Sequence, residues 1–335
     1  MTVDEAHTSS PAEDLRLLVI RIHSIIAALA ERYEVGDIHV DLVLADDFVS
    51  TTQAILDLDG PSGLTFDPER LGGEAVAKNL PLSDDGSHVA VVMNRHLLSA
   101  VGEAAAQTIF LVAHELMHPI FNRLRIRAGV LDDAEFPSST PWEVARSIAR
   151  TVNDEYQADF VASILLGQFG TAGDGESKET LHAGHIFGNS HTEQFQQVLD
   201  THVWPGWADT VRDYQYHRLS LDRMWQRLAS DADQILTLLA HAQAVTDAAG
   251  REGPTEGDAG SHRGVLLYLR PVWEAVLGPI RANRSVFGVD DFARADREIA
   301  DALEPALLDM WETLGVTFTD NGDDSFQIHV THPAR

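Results

Sequence analysis

His114-Glu115-Leu116-Met117-His118 sets two imidazoles four residues apart with a carboxylate beside the first. On a helix, residues four apart stand one turn above each other, so both rings reach a single tetrahedral metal ion. Glu115 then lies about 100° around the axis, next to the metal but not on it. From there it can take a proton from a water and pass it to a leaving amine. The surrounding segment, AAAQTIFLVAHELMHPIF, is apolar, so these polar groups face a core or a cleft. Burial of two imidazoles and a carboxylate without partners is costly, and a bound cation removes that cost.

A catalytic site of this type takes a third protein ligand and leaves a fourth position to water. The extended motif HExxHxxGxxH would need Gly at 121 and His at 124, where Phe121 and Leu124 stand. The third ligand therefore comes from elsewhere, and a well-signposted helix supplies a candidate. Thr140 is its cap, Pro141 suits its first position, and Glu143 completes a capping box. It should run to about Leu166, with Gly167 and Gly170 as stop signals. Projected at about 100° per residue, Val144, Ile148, Val152, Ala162 and Leu166 fall on the same side as Glu155 and Asp159. Arg146, Arg150, Asn153 and Gln157 form the opposite face, expected to be solvated. Two carboxylates interrupting one apolar stripe are unfavourable unless cations or donors meet them. The inference is that Glu155 binds the metal and Asp159 accepts the N–H of a metal-bound histidine.

HExxH on one helix and ExxxD on a later one resembles the gluzincin zinc metallopeptidases. The order VAVVMN, TIFLVAHELMH, DEYQADFVASILL is similar to the compact core of ImmA/IrrE-type peptidases, whose E-x-x-A-D-x-F-A stretch carries the third ligand. Ala158-Asp159-Phe160-Val161-Ala162 follows that pattern apart from Val161. The resemblance covers roughly residues 85–168. It implies one zinc per chain held by His114, His118 and Glu155, with Glu115 as general base and a peptide or protein as substrate. It also implies that the strand at 88–94 borders the cleft and can pair with an extended peptide. The chain departs from the pattern in three ways. Pro119 lacks the N–H that would bond the Glu115 carbonyl, so the helix should kink or stop there. Met117 is bulkier than the small residue often found at that position, and the interval from His118 to Glu155 is long.

Two other chemistries use the same residues. Two histidines and one carboxylate with open positions suit Fe(II) in an oxygenase. A site closed by a fourth protein ligand would be structural, in a metal-stabilised binding or scaffold protein. His182, His185, His191 and His202 are candidates for that ligand or for an oxyanion donor, although their spacing fits no ligand template and a polar loop is the simpler reading. Tyr214, Tyr216 and His217 could also donate to an oxyanion. Arg123, Arg125 and Arg127 form the one basic knot, read as the complement of a helix C-terminus.

The elements that must position these groups give an α+β, predominantly helical fold. A small mixed sheet packs on the active-site helix and the Glu-bearing helix (zincin-like), and a helical C-terminal extension follows. Residues 1–12 read as a disordered leader, 13–170 as the metallopeptidase core and 181–335 as the extension. A helix is expected from about Asp14 to Tyr33. Strand-like alternation occupies 38–45, with Ile38, Val40, Leu42 and Leu44 on one face and His39 and Asp41 on the other. A weaker strand is expected at Ala54–Leu58, and a doubly covered one at 88–94. The helical pattern from His96 to about Arg127 is a candidate for a break near Gly102. Helical patterns near 209–247, a flexible linker at 247–264, helices at about 265–283 and 290–314, and a hairpin turning at Asn321-Gly322 complete the chain. Trp273 and Trp311 are core or interface material, and the C-terminal helices could seat a regulatory partner or a second copy.

Composition narrows the function. The 335 residues hold 24 Lys+Arg against 52 Asp+Glu, a net charge of −28. A field of that sign repels phosphate backbones and anionic lipid surfaces, which argues against nucleic-acid and membrane partners. The absence of cysteine removes disulfides, a thiol nucleophile and thiolate metal ligands. LLVIRIHSIIAALA at 17–30 is short for a membrane span and carries Arg21 and His23, and the acidic N-terminal stretch is unlike a signal peptide. A cytoplasmic location is the expectation.

Overall fold

The computed structural model describes residues 12–33, 38–58, 65–70, 73–97, 102–130, 140–169, 188–284, 288–322 and 325–331. The leader at 1–11, most of the interval between the two site helices, and His182 and His185 lie outside them.

Alternation at 38–45 yields strand β1 (His39–Ala45), which pairs in parallel with β5 (His88–Asn94). On the other side β5 pairs antiparallel with β4 (Ala77–Pro81), giving the order β1-β5-β4. A short ribbon of β2 (Glu69–Arg70) and β3 (Gly73–Glu74) precedes β4. Val89 to Met93 are all buried, as a central strand covered on both faces requires. The central position corrects one expectation: with β1 and β4 on its two edges, β5 cannot accept an added peptide strand.

The segment expected as a strand at Ala54–Leu58 is instead the end of helix α2 (Phe48–Leu56). Asp47 decides this locally, because its side chain accepts from the Ser50 backbone N–H at 3.0 Å and nucleates a helix. Phe48, Ile55 and Leu56 then pack with Phe66, Leu80 and Val92. Helix α1 spans Ala12–Arg32, and among the described residues no helix is long and apolar enough to cross a membrane.

Helix α3 runs Gly102–Ala128 and carries HELMH; α1 and β4 both pack against it. It does not stop at Pro119. Proline removes one rung of the ladder, but Ile120, Phe121, Leu124 and Arg125 beyond it are buried, and that packing carries the helix on. Two arginines of the basic knot have partners distant in sequence. Arg123 donates to the Asp85 carbonyl at 2.5 Å, and the buried Arg125 guanidinium lies 5.1 Å over the Phe292 ring.

Helix α4 spans Pro141–Phe169. Its capping box is formed, with the Thr140 N–H donating to Glu143 Oε2 at 2.6 Å and the Glu143 N–H to Thr140 Oγ1 at 3.3 Å. Gly167 does not end it. The face expected to be solvated is only partly so: Asn153 and Gln157 are buried. Asn153 Nδ2 donates to Asp296 Oδ1 at 2.7 Å, a partner far away in sequence that no helical projection could reveal.

The chain divides into two compact units, residues 1–132, 157–187 and 287–293 in the first and 133–156, 188–286 and 294–335 in the second. The division falls inside α4, between Tyr156 and Gln157, and the helix itself is unbroken. The second unit holds α5 (Gly188–Val198), a stretch at Leu199–Trp207 kinked at Trp204, α6 (Ala208–Gln215), α7 (Leu221–Ala248), α8 (Arg270–Asn283) and α9 (Val289–Thr313), the last shared with the first unit. Strands β6 (Val316–Asp320) and β7 (Phe326–Val330) form the expected hairpin, with Gly322 at φ +78° in the turn. Trp207, Trp273 and Trp311 are fully buried. The segment expected to be a flexible linker is packed. Thr255 and Ala259 are buried, and Arg270 donates to the Gly260 carbonyl at 2.7 Å.

Candidate metal centre

The site begins on α3, where an unbroken apolar surface (Ile109, Phe110, Val112, Ala113, Leu116, Met117) leaves His114 only 9% exposed. His114 Nδ1 lies 2.6 Å from Asp159 Oδ1, and Asp159 is itself buried on α4. An ionised carboxylate only accepts, so Nδ1 carries the proton and donates it. Nε2 of the neutral ring is then a lone pair. It faces His118 Nε2 at 3.1 Å, with the two rings 74° apart in plane.

Glu155 stands one turn before Asp159 on the same unbroken helix, with its side chain 19% exposed. The ligand atoms of His114, His118 and Glu155 all lie within 4.8 Å of one another. Two nitrogens bound tetrahedrally at the usual zinc distance would stand about 3.3 Å apart, close to the separation of the two imidazoles. The donor set, two neutral nitrogens and one carboxylate with the first ring held by a second carboxylate, fits a divalent zinc-class cation. Nothing in it needs thiolate, which the chain lacks.

Glu115 receives a hydrogen bond from Asn79 Nδ2 of β4. With Nδ2 so committed, Asn79 Oδ1 is buried and accepts no hydrogen bond. An edge-strand amide thus ends beside Glu115. The sequence pattern does not reveal Asn79, because nothing in AKNLP distinguishes a site residue from strand polarity.

His241 also escapes the sequence pattern as read above. It projects from α7, where its Nε2 lies 3.5 Å from Glu155 Oε2. A signal is nonetheless present: a single histidine in the run LLAHAQAV interrupts an apolar helix in the same way that Glu155 does. The other candidate donors play no such part where they are described. His202 lies in the kinked stretch after α5. Tyr216 is exposed and His217 closes the last turn of α6 at φ 59°.

Around Tyr156, the neighbour of Glu155, a buried network fixes the helix. Tyr156 Oη donates to Asp247 Oδ2 at 2.7 Å, Arg281 donates from Nε and Nη2 at 2.8 and 2.6 Å, and Gln243 donates to Oδ1 at 2.8 Å. Trp273 Nε1 in turn donates to Gln243 Oε1 at 3.2 Å. Burial opposes the charge on Asp247, yet the bonds from Arg281, Tyr156 and Gln243 hold its pKa below the usual carboxylate range. Burial, then the bond to Asp247, pushes the Tyr156 phenol far above its ordinary value. No family model, curated protein or solved structure matches this chain.

Proposed function

We propose that the chain is a zinc-dependent peptidase with a zincin-like centre, in which His114, His118 and Glu155 hold the metal. One observation carries this reading: Asp159 fixes the His114 tautomer so that its unprotonated Nε2 converges with His118 and Glu155. Zinc bound there would polarise the scissile carbonyl and acidify a water. Glu115 takes the proton of the attacking water on its carboxylate and delivers it to the leaving amine. Asn79 Nδ2 holds that carboxylate in place.

The test is cleavage of a mixed peptide library, read by mass spectrometry, with zinc content measured on the same samples. The zinc-loaded parent should cleave. Glu115→Gln should hold the same zinc and lose about 10²-fold or more of the rate. Parental cleavage by that variant would sink the mechanism.

His241 supports one other reading, a structural metal site with four protein ligands, because its Nε2 already meets Glu155 Oε2. His241→Ala separates the two: loss of zinc favours the closed site, and zinc retained with altered turnover favours the peptidase.

A further inference from the structure

The parallel register of β1 and β5 places His39 directly opposite His88. Asp41 is two residues beyond His39 on β1, and residues two apart on a strand share a face. Three polar side chains therefore rise together from the same side of the sheet. Their heads converge: His39 Nε2 lies 3.1 Å from Asp41 Oδ1, and His88 Nε2 lies 2.8 Å from Asp41 Oδ2. The ring centroids are 4.7 Å apart, and one ligand atom from each residue lies within 4.8 Å of the other two. None of these residues belongs to the centre on α3 and α4.

We propose that His39, Asp41 and His88 form a second cation site, for a divalent metal of the zinc class. Two imidazole nitrogens and one carboxylate oxygen are the donors that borderline cations select, whereas calcium and magnesium take oxygen ligands. All three ligands stand on paired strands, so backbone register sets their separation and little ordering is left to binding. The side chains are partly exposed, at 52% for His39, 32% for Asp41 and 37% for His88, so a metal reaches them directly and keeps a water in its fourth position. The chain's −28 net charge enriches cations at such a surface. A metal here joins edge strand β1 to central strand β5 at the point where both begin, a structural role separate from hydrolysis.

The probe is zinc chloride alone, titrated by equilibrium dialysis into metal-stripped full-length protein. Wild type, His39→Gln, His88→Gln and Glu155→Ala are compared, with circular dichroism as the check on folding. The expected result is two zinc ions per wild-type chain and one in each of His39→Gln and His88→Gln. Glu155→Ala should keep the strand site, which isolates it, and zinc should raise the melting temperature of that variant but not of its double mutant with His88→Gln. Unchanged stoichiometry and affinity in both histidine variants would overturn the strand site, as would binding weaker than about 1 mM. A wild type that binds one zinc, lost in His88→Gln and kept in Glu155→Ala, would uphold the strand site and refute the centre on α3 and α4.

Discussion

Replacing Asp159 tests the orientation argument without touching a metal ligand. Its carboxylate is 1% exposed and meets His114 Nδ1 at 2.6 Å, which holds that ring and its tautomer. Asp159→Asn can still offer an oxygen to Nδ1–H but no longer a charge, whereas Asp159→Ala offers nothing. Partners of this kind are worth about 10- to 100-fold in metal affinity, or about 1.4 to 2.7 kcal/mol. Asp159→Asn should fall near the lower figure and Asp159→Ala near the upper one. The assay is zinc competition against a chromophoric chelator, with the metal-free melting temperature recorded to separate folding from binding. If both variants keep parental zinc affinity while folding normally, His114 is not oriented through Asp159 and the assignment of the centre fails with it.

The network on Asp247 predicts a stability effect. Asp247→Asn leaves Arg281 and Tyr156 without their carboxylate, and since Asp247 is 5% exposed but Arg281 39%, the cost should be about 2–3 kcal/mol in urea unfolding. Its pH dependence has a definite sign: a carboxyl with a lowered folded pKa stabilises above the unfolded value and loses that stabilisation as pH falls through the folded one. The gap between wild type and Asp247→Asn should therefore be full above about pH 5 and shrink progressively as pH falls from about 4 through the folded pKa; a gap that stays constant throughout that acid fall would show that the charge is not what matters. Asn79→Ala should lower kcat by about 10-fold with zinc content unchanged, because it frees the Glu115 carboxylate. Unaltered turnover would remove Asn79 from the site.

Local rules made much of this legible. The Thr140–Glu143 capping box, the Asn321-Gly322 hairpin and the apolar strand at 88–94 are each decided by residues adjacent in sequence. The convergence of Asp159 on His114 followed from one projection and one chemical requirement: a buried carboxylate needs a donor. What escaped were pairings across long separations. Asn153 reads as solvated until Asp296, 143 residues later, supplies its partner. Asn79 reaches the centre from a strand whose own pattern does not announce it, and His241 from a helix whose one sign is a histidine interrupting an apolar run. Asp47 shows the opposite case, a local cap outweighing the strand-like run at Ala54–Leu58 and making the segment helical.

Helix α4 carries both Glu155 and Asp159, one turn apart, and this makes the centre unequally sensitive to different kinds of genetic change. A substitution at either position removes one contact and leaves the other in place. A single-residue insertion or deletion between Tyr156 and the end of the helix's buried stripe turns everything beyond it by about 100°. Placed between Glu155 and Asp159, it leaves the two carboxylates unable to face the histidines together. Upstream, near Val144, the same lesion is resisted by the Tyr156–Asp247 anchor and by the register of the apolar stripe, so the fold must bulge or lose both groups at once. Natural length variation in this protein should therefore gather outside α4, leaving substitution as the only kind of change tolerated within it.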